Sequence, residues 1–96
     1  METRVAIVGI IVEDIDSVEK LNSILNSYGQ YIIGRMGLPY RQKGINIISL
    51  AVDAPQDIIS ALSGKLGKLP GVSTKAVYSK VKGKPENEVF YESTDR

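Results

Sequence analysis

The stretch from Ala61 to Val72 decides the fold of the second half of the chain, and it reads Ala-Leu-Ser-Gly-Lys-Leu-Gly-Lys-Leu-Pro-Gly-Val. Gly67 is placed just past the end of a predicted helix, where a positive φ costs glycine little. Pro70 and Gly71 then predict a turn, after which a run rich in β-branched residues begins. The stretch therefore predicts a junction at which the last helix ends and the last strand begins.

Six elements follow from the apolar spacing on both sides of this junction. The strands are rich in β-branched residues, and the helices carry apolar residues three or four positions apart. In chain order we predict a strand over 4–12, a helix from about Asp16 to Gly29, a shorter irregular strand over 31–38, a strand over 45–52, a helix after Asp53, and a strand over 72–81. Asp16 with Glu19 is expected to cap the first helix, and Asp53 the second, with Pro55 in its first turn.

The element order βαββαβ predicts an α+β fold, a ferredoxin-like sandwich. Two interleaved βαβ units place both helices on one face of a four-stranded antiparallel sheet and leave the other face open. Whichever register of the first strand packs on the helices, the other register still presents large aliphatic side chains. Soluble monomers rarely expose such a patch, so we expect a homo-oligomer that covers the sheet face or extends the sheet at its edge.

The chain has the length of one small domain, at 96 residues. We expect a folded domain over residues 1–81 and a separate polar segment over 82–96. This segment contains the small cluster Val89-Phe90-Tyr91 among acidic residues, Gly83 and Pro85. Its composition is typical of a flexible tail, and a short extra strand or a partner-binding segment is the alternative.

Composition excludes several classes of function. The formal net charge is +1, which provides no field that would attract nucleic acid or an acidic membrane. The chain contains no Cys and no His, so it lacks thiolate nucleophiles, imidazole bases and the usual ligands of zinc. No cofactor or metal site is expected. No signal pattern and no apolar run long enough to span a bilayer is present, and a cytoplasmic location is the default expectation.

Two motifs resemble nucleotide-binding or RNA-binding signatures but lack the residues that these chemistries need. Lys43 to Ile48 has the frame of a third-strand RNA-recognition motif, yet Ile45 and Ile47 stand where bases would stack on aromatic rings. Ser63-Gly64-Lys65 resembles part of a phosphate loop, but Ile59 occupies the position of the required upstream glycine. Direct nucleic-acid binding is therefore not expected.

The glycine and the cationic residues in and near these two motifs each have a structural interpretation and a functional one. Gly64 is expected to permit close packing of the second helix, while Lys65 and Lys68 favour the dipole at its C-terminal end. Arg35, Arg41 and Lys43 surround the turn between the second and third strands and are either solvated charges or an anion site with Tyr40.

The carboxylates Glu13, Asp14 and Asp16 follow the first strand and favour helix capping over a hard-cation site, because they lack the spacing of a calcium loop. No nucleophile with a base and no acid–base pair stands out. The protein is accordingly not expected to be an enzyme.

Three segments together closely resemble the iron-only hydrogenase system regulator family. They are Val12-Glu13-Asp14, Arg35-Met36-Gly37-Leu38-Pro39-Tyr40-Arg41, and Ala61 to Gly67 with Pro70-Gly71-Val72. The resemblance covers the chain up to about Lys80. It implies a small ACT-like domain with the ferredoxin-like fold that associates into dimers or tetramers, related in shape to the ligand-sensing domain of nickel-responsive regulators. Without His or Cys, a nickel site is not expected.

The leading hypothesis is a non-catalytic, oligomeric, ACT-like regulatory module that binds a small metabolite or anion at a subunit interface. Its candidate ligand-binding residues are Arg35, Arg41, Ser63, Gly64 and Lys65, because backbone near Gly64 and neighbouring cationic donors can receive an anionic group. The alternative hypothesis is a structural adaptor that assembles through its sheet and binds a partner protein with its tail. Candidate partners are thus further copies of the chain, a small-molecule effector and a partner protein.

Overall fold

The computed structural model describes residues 2–80 and contains four strands and two helices in the predicted order. Their bounds are β1 Arg4–Val12, α1 Val18–Ser27, β2 Ile32–Tyr40, β3 Ile45–Ala54, α2 Gln56–Gly67 and β4 Val72–Tyr78. Short 3₁₀ turns occupy Ile15–Ser17, Gly29–Tyr31 and Arg41–Lys43. The predicted segment 82–96 and Val81 lie outside the described residues.

The four strands form one antiparallel sheet in the order β2-β3-β1-β4. The first βαβ unit contains β1 and β2, and the second contains β3 and β4. In this order the strands of the two units alternate across the sheet, as the ferredoxin-like sandwich requires. On β1 the residues Ala6, Val8 and Ile10 are buried, whereas the alternating Val5 and Ile7 are exposed. Both helices therefore cover one face of the sheet, which confirms the predicted architecture.

The core lies between this face and the two helices. It is formed by aliphatic side chains from β1, β3, α1 and α2, with a few contributions from other segments. The largest fully buried side chains are Ile10, Leu21, Leu50, Ile59, Leu62, Leu66, Val8, Val12 and Val52. Because the helix residues in this list recur at helical spacing, the apolar stripe read from the sequence is the one that packs on the sheet.

The helix starts differ from the prediction. Asp14, not Asp16, provides the first cap, since its Oδ1 accepts a 2.9 Å hydrogen bond from Asp16 N and begins the 3₁₀ turn. Asp53 is still part of β3, and Pro55 takes the N-cap position of α2, where its carbonyl oxygen accepts hydrogen bonds from the backbone N–H groups of Ile58 and Ile59. The predicted caps at Asp16 and Asp53 are therefore wrong, because β3 continues two residues further than expected and a 3₁₀ turn precedes α1.

Strand β2 is longer than its glycines and proline suggested. It runs to Tyr40 and includes Pro39, with one register irregularity between Ile32 and Gly34. An edge strand tolerates both features, because only one of its two sides must complete a ladder. Residues 33–40 are all exposed, so β2 projects beyond the helix layer.

The Ala61 to Val72 junction has the predicted order but a different backbone. Gly67 is the last residue of α2, and the positive φ values among the described residues belong to Gly44 and Gly71, the latter at 68°. The left-handed residue therefore stands in the turn immediately before β4 and not at the helix end. Beyond β4, Ser79 N donates a 2.9 Å hydrogen bond to the carbonyl oxygen of Val5.

Candidate functional site

A cleft opens on the helix side of the sheet, where β2 and β3 extend past α1. We call it the α1–β2 cleft, and its volume is about 270 Å³. Its helix-side lining residues are Val12, Val18, Leu21, Asn22, Arg35, Gly37, Pro39, Asn46 and Ile48, and it is bordered by Leu38 and Ile47, whose side chains alternate to the opposite face of the sheet. The lining is mostly apolar and contains a few polar groups, which is the usual character of a small-molecule site.

Arg35 spans this cleft from the strand to the helix. Its Nη2 donates a 2.8 Å hydrogen bond to Asn22 Oδ1 on α1. Within residues 2–80 the guanidinium forms no ion pair. A guanidinium has five N–H donors, so most of the hydrogen-bonding capacity of Arg35 remains available beside an apolar cavity.

Gly37 and Asn46 complete the floor and the wall of the cleft. Gly37 pairs with Ile48 and therefore faces the helix side, and a Cβ atom built on it has nothing within 4 Å. Asn46 is half-buried, and its side-chain amide forms no hydrogen bond in the part of the chain that the structure describes. The absent side chain of Gly37 leaves space, and Asn46 offers an unused donor and acceptor next to it.

A second cavity of about 230 Å³ adjoins the first. The two share Val12, Pro39 and Asn46, and the second one is also lined by Arg41. The αL conformation of Gly44, with φ 64°, ends the 3₁₀ turn that carries Arg41. The structure thus places two of the predicted ligand-binding residues, Arg35 and Arg41, at neighbouring cavities on one side of the molecule.

The other predicted ligand-binding residues, on α2, line neither cavity. Ser63 Oγ lies 3.0 Å from Thr74 Oγ1 and links α2 to β4. Lys65 Nζ lies 5.2 Å from the ring centroid of Tyr28, across from α1. A Cβ atom built on Gly64 meets nothing within 4 Å, so the expectation that this glycine permits close helix packing is wrong.

The acidic residues after β1 serve the junction between the two halves of the chain. Asp14 caps the 3₁₀ turn, and Glu13 N donates a 2.7 Å hydrogen bond to the carbonyl oxygen of Gly71. Among residues 2–80 there is no group of three or more His, Cys, Asp or Glu side chains that could hold a metal ion. Capping, the preferred interpretation of this cluster, is confirmed for Asp14.

Three residues of the cleft were not identified from the sequence: Asn22, Gly37 and Asn46. The feature that could have identified them is their spacing from other cleft residues along the helix and the strands. Asn22 follows Val18 by four residues on the helix, and Gly37 follows Arg35 by two on the strand, so each shares a face with a cleft residue. Asn46 pairs with both Val12 and Pro39, a contact across three strands that only the sheet register reveals.

The sheet face opposite the helices, which we call the open face, carries a patch of large apolar side chains. Its apolar residues are Val5, Ile7, Ile11, Met36, Leu38, Tyr40, Ile45, Ile47 and Val77. The exposed fraction is 52% for Ile7, 60% for Leu38, 67% for Val77 and 68% for Met36. A shallow depression of about 460 Å³ lies at its centre, around Gly9, Ser49 and Lys75.

Neither α1 nor α2, the two helices within residues 2–80, has the length and apolar character needed to cross a membrane.

Comparisons with known proteins agree with this fold. A family model described as "TM1266-like: Iron-only hydrogenase system regulator, putative" matches residues 4–76. Among solved structures, the uncharacterized protein TM1266 from Thermotoga maritima is 36% identical, with a TM-score of 0.79 over 82% of this chain and 100% of that chain. No curated protein matches the sequence.

A more distant structure shares the fold alone. A formyltetrahydrofolate deformylase from Pseudomonas putida KT2440 is 13% identical, with a TM-score of 0.56. The match covers 76% of this chain and 28% of that chain, so this chain corresponds to a minor part of the deformylase. The family model and the Thermotoga structure both span most of the described residues, and the chain belongs to the TM1266-like family, which is described as a family of iron-only hydrogenase system regulators.

Proposed function

We propose that the protein is a non-catalytic regulatory module of an iron-only hydrogenase system, acting as a homo-oligomer that binds a small metabolite or anion beside a subunit interface. The observation that carries the proposal is Arg35, whose guanidinium forms no ion pair within residues 2–80 and lies at the mouth of a largely apolar cleft. The family description supports a regulatory role. The non-catalytic part is supported by this description and by the lack of His and Cys in the sequence.

The oligomeric part of the proposal is supported by the open face and by β2. Ile7 and Val77 pair across β1 and β4 and are both more than half exposed. Soluble monomers rarely expose a contiguous apolar patch of this kind. Because residues 33–40 are exposed on both sides of β2, an assembly that used this strand would bring the α1–β2 cleft to a subunit interface.

Sedimentation of the full chain at micromolar concentration tests this part. We expect a dimer or tetramer of the 10.5 kDa chain, and we expect Ile7→Glu to shift it to the monomer, because a charge at the centre of an apolar interface is costly. Ser23→Glu, which adds the same charge on the exposed surface of α1, is the matched control and should leave the mass unchanged. A single sharp monomer mass for the unmodified chain would contradict an oligomeric regulator.

Thermal denaturation with a broad panel of anionic metabolites tests the ligand. A ligand that binds only the folded state stabilises it by RT ln(1 + [L]/Kd), so a sensor should show a concentration-dependent rise in Tm. Loss of this rise in Arg35→Gln, with the unliganded Tm retained, would place the ligand at the cleft. Loss in Lys65→Met instead would place it at the other predicted group, on α2.

A structural adaptor remains the second candidate, and the open face favours it. Its apolar residues come from all four strands and form a broader surface than the α1–β2 cleft. An adaptor predicts that no member of the metabolite panel raises the Tm, while charged substitutions on the open face abolish its effect on the hydrogenase system. Deleting the gene in its host and measuring hydrogenase activity per unit of hydrogenase protein provides that functional readout.

A further inference from the structure

We propose that the α1–β2 cleft binds a small monocarboxylate with a short apolar chain, holding the carboxylate at Arg35 and the chain in the space beside Gly37. This inference rests on the proposed function, because it names the class of small anion to which the module responds. It depends on three properties of the cleft: its single charge, its apolar floor and its size.

The charge of the lining selects an anion with one negative charge. Among residues 2–80, Arg35 is the only charged residue that lines the cleft, and the other polar side chains there are Asn22 and Asn46. The planar guanidinium of Arg35 matches a carboxylate in a bidentate arrangement. Because Arg41 lines the adjoining cavity and not this cleft, a dianion or a polyphosphate confined to the cleft would leave at least one charge without a cationic partner in a mostly apolar site.

The apolar side chains that line the cleft favour a ligand that carries an apolar group as well as the carboxylate. Val18 and Leu21 of α1 and Ile48 of β3 all line the cleft. Burying CH₂ groups against such side chains is favourable in proportion to the area removed from water. An inorganic anion would use the guanidinium but would gain nothing from this surface.

The size limits the length of the chain. The cleft volume of about 270 Å³ is just below the range of roughly 300–1,000 Å³ that is typical of small-molecule sites. Gly37 keeps this volume open, because a side chain at position 37 would extend into the free space between Arg35 and Pro39. The cleft therefore suits a short aliphatic acid better than a long lipid chain.

The test is titration of the full chain with acetate, butanoate and hexanoate, followed by the amide chemical shifts of β2, β3 and α1 in NMR spectra. We expect affinity to rise about fourfold for each added CH₂ group that is buried. Hexanedioate, which has the same length but a second charge at the apolar end, should bind at least about tenfold more weakly than hexanoate. Equal affinity for acetate and hexanoate, or no binding of hexanoate, overturns the proposal.

Variants locate the site. Arg35→Met keeps an apolar stem but removes the guanidinium, and it should weaken hexanoate at least about tenfold, the effect of one charge-assisted hydrogen bond. Gly37→Val should do the same by filling the floor, and because its Cβ meets open space we expect the variant to keep the fold. The matched control is Gly34→Val on the same strand, which also points into open space but on the opposite face and should leave the affinity unchanged.

The outcomes separate this inference from the proposed function. If a metabolite of the panel raises the Tm while hexanoate binds equally well to the Arg35→Met and Gly37→Val variants, the module is a sensor and the cleft assignment is wrong. If neither the panel nor the carboxylates bind, both proposals fail and the adaptor is favoured.

Discussion

Gly71 packs directly on the backbone of Asp14. A Cβ atom on Gly71 would lie 2.7 Å from Asp14 Cβ and 2.9 Å from Asp14 N, and the φ of Gly71 is +68°. Its carbonyl oxygen also accepts the hydrogen bond from Glu13 N. The turn before β4 is thereby held against the loop after β1, and a glycine is required there for both conformational and steric reasons.

Replacing this glycine should destabilise the fold strongly. Gly71→Ala places a non-glycine residue at positive φ and a methyl group against backbone, so we expect the free energy of unfolding to fall by about 2 kcal/mol or more. Urea denaturation measures the loss. The control is Gly64→Ala in the middle of α2, where the new Cβ meets open space and helix propensity predicts a gain of up to about 1 kcal/mol. An unchanged stability of Gly71→Ala would contradict the close approach.

A buried hydroxyl makes a second link at the same junction. Ser17 Oγ donates a 2.6 Å hydrogen bond to the carbonyl oxygen of Pro70, and Ser17 is buried. Ser17→Ala removes the donor and leaves that carbonyl without this partner, which should cost about 1–2 kcal/mol of unfolding free energy.

Ser27→Ala is the matched control for this link. Ser27 Oγ donates to the carbonyl oxygen of Ile24 within its own helix at an exposed position. Removing this hydrogen bond in Ser27→Ala should change the free energy of unfolding by less than about 0.5 kcal/mol. Equal losses in the two serine variants, measured by chemical denaturation, would mean that the Ser17–Pro70 contact does not connect the two halves of the chain.

The sequence predicted the order of elements well, because each amphipathic stripe is a local property. The two-faced apolar pattern of β1 also anticipated the open face that Ile7 occupies. The helix caps could not be predicted from spacing alone, since Asp14 and Asp16 both suit a cap and only the chain path after β1 chooses between them. The positive φ expected at Gly67 belongs instead to Gly71, where the tight contact with Asp14 also requires a glycine.

The candidate site was less accessible to prediction than the fold. Arg35 and Arg41 were identified because cationic residues near a turn are conspicuous in a sequence. The cleft itself arises because β2 extends beyond α1, which is a tertiary property that no local pattern encodes. Asn46 becomes part of it only through its register opposite Val12 and Pro39.

The contact between the two helices at the edge of the core gives a smaller, separable effect. Lys65 Nζ lies over the ring of Tyr28 at 5.2 Å from the centroid. Lys65→Met should lower the free energy of unfolding by about 0.5–1 kcal/mol, the usual range for an exposed cation–π pair. Lys68→Met, at the C-cap of the same helix, shares the dipole effect without a ring contact among the described residues and should cost less. Thermal denaturation of both variants at one ionic strength makes the comparison, and equal losses would contradict a cation–π contribution.

Two leucines distinguish the core from the open face. Leu66 is a fully buried residue of α2, and Leu66→Ala should lower the free energy of unfolding by about 2–5 kcal/mol through lost burial and the cavity that remains. Because this loss is internal to the protomer, it should be the same at every protein concentration.

Leu38 is exposed on the open face, so Leu38→Ala should leave protomer stability within about 0.5 kcal/mol and act instead on subunit association. Denaturation at several protein concentrations separates the two effects, since a variant that weakens assembly loses the concentration dependence of its Tm. A large, concentration-independent loss in Leu38→Ala would show that this side chain packs within the protomer and would remove Leu38 from the proposed interface.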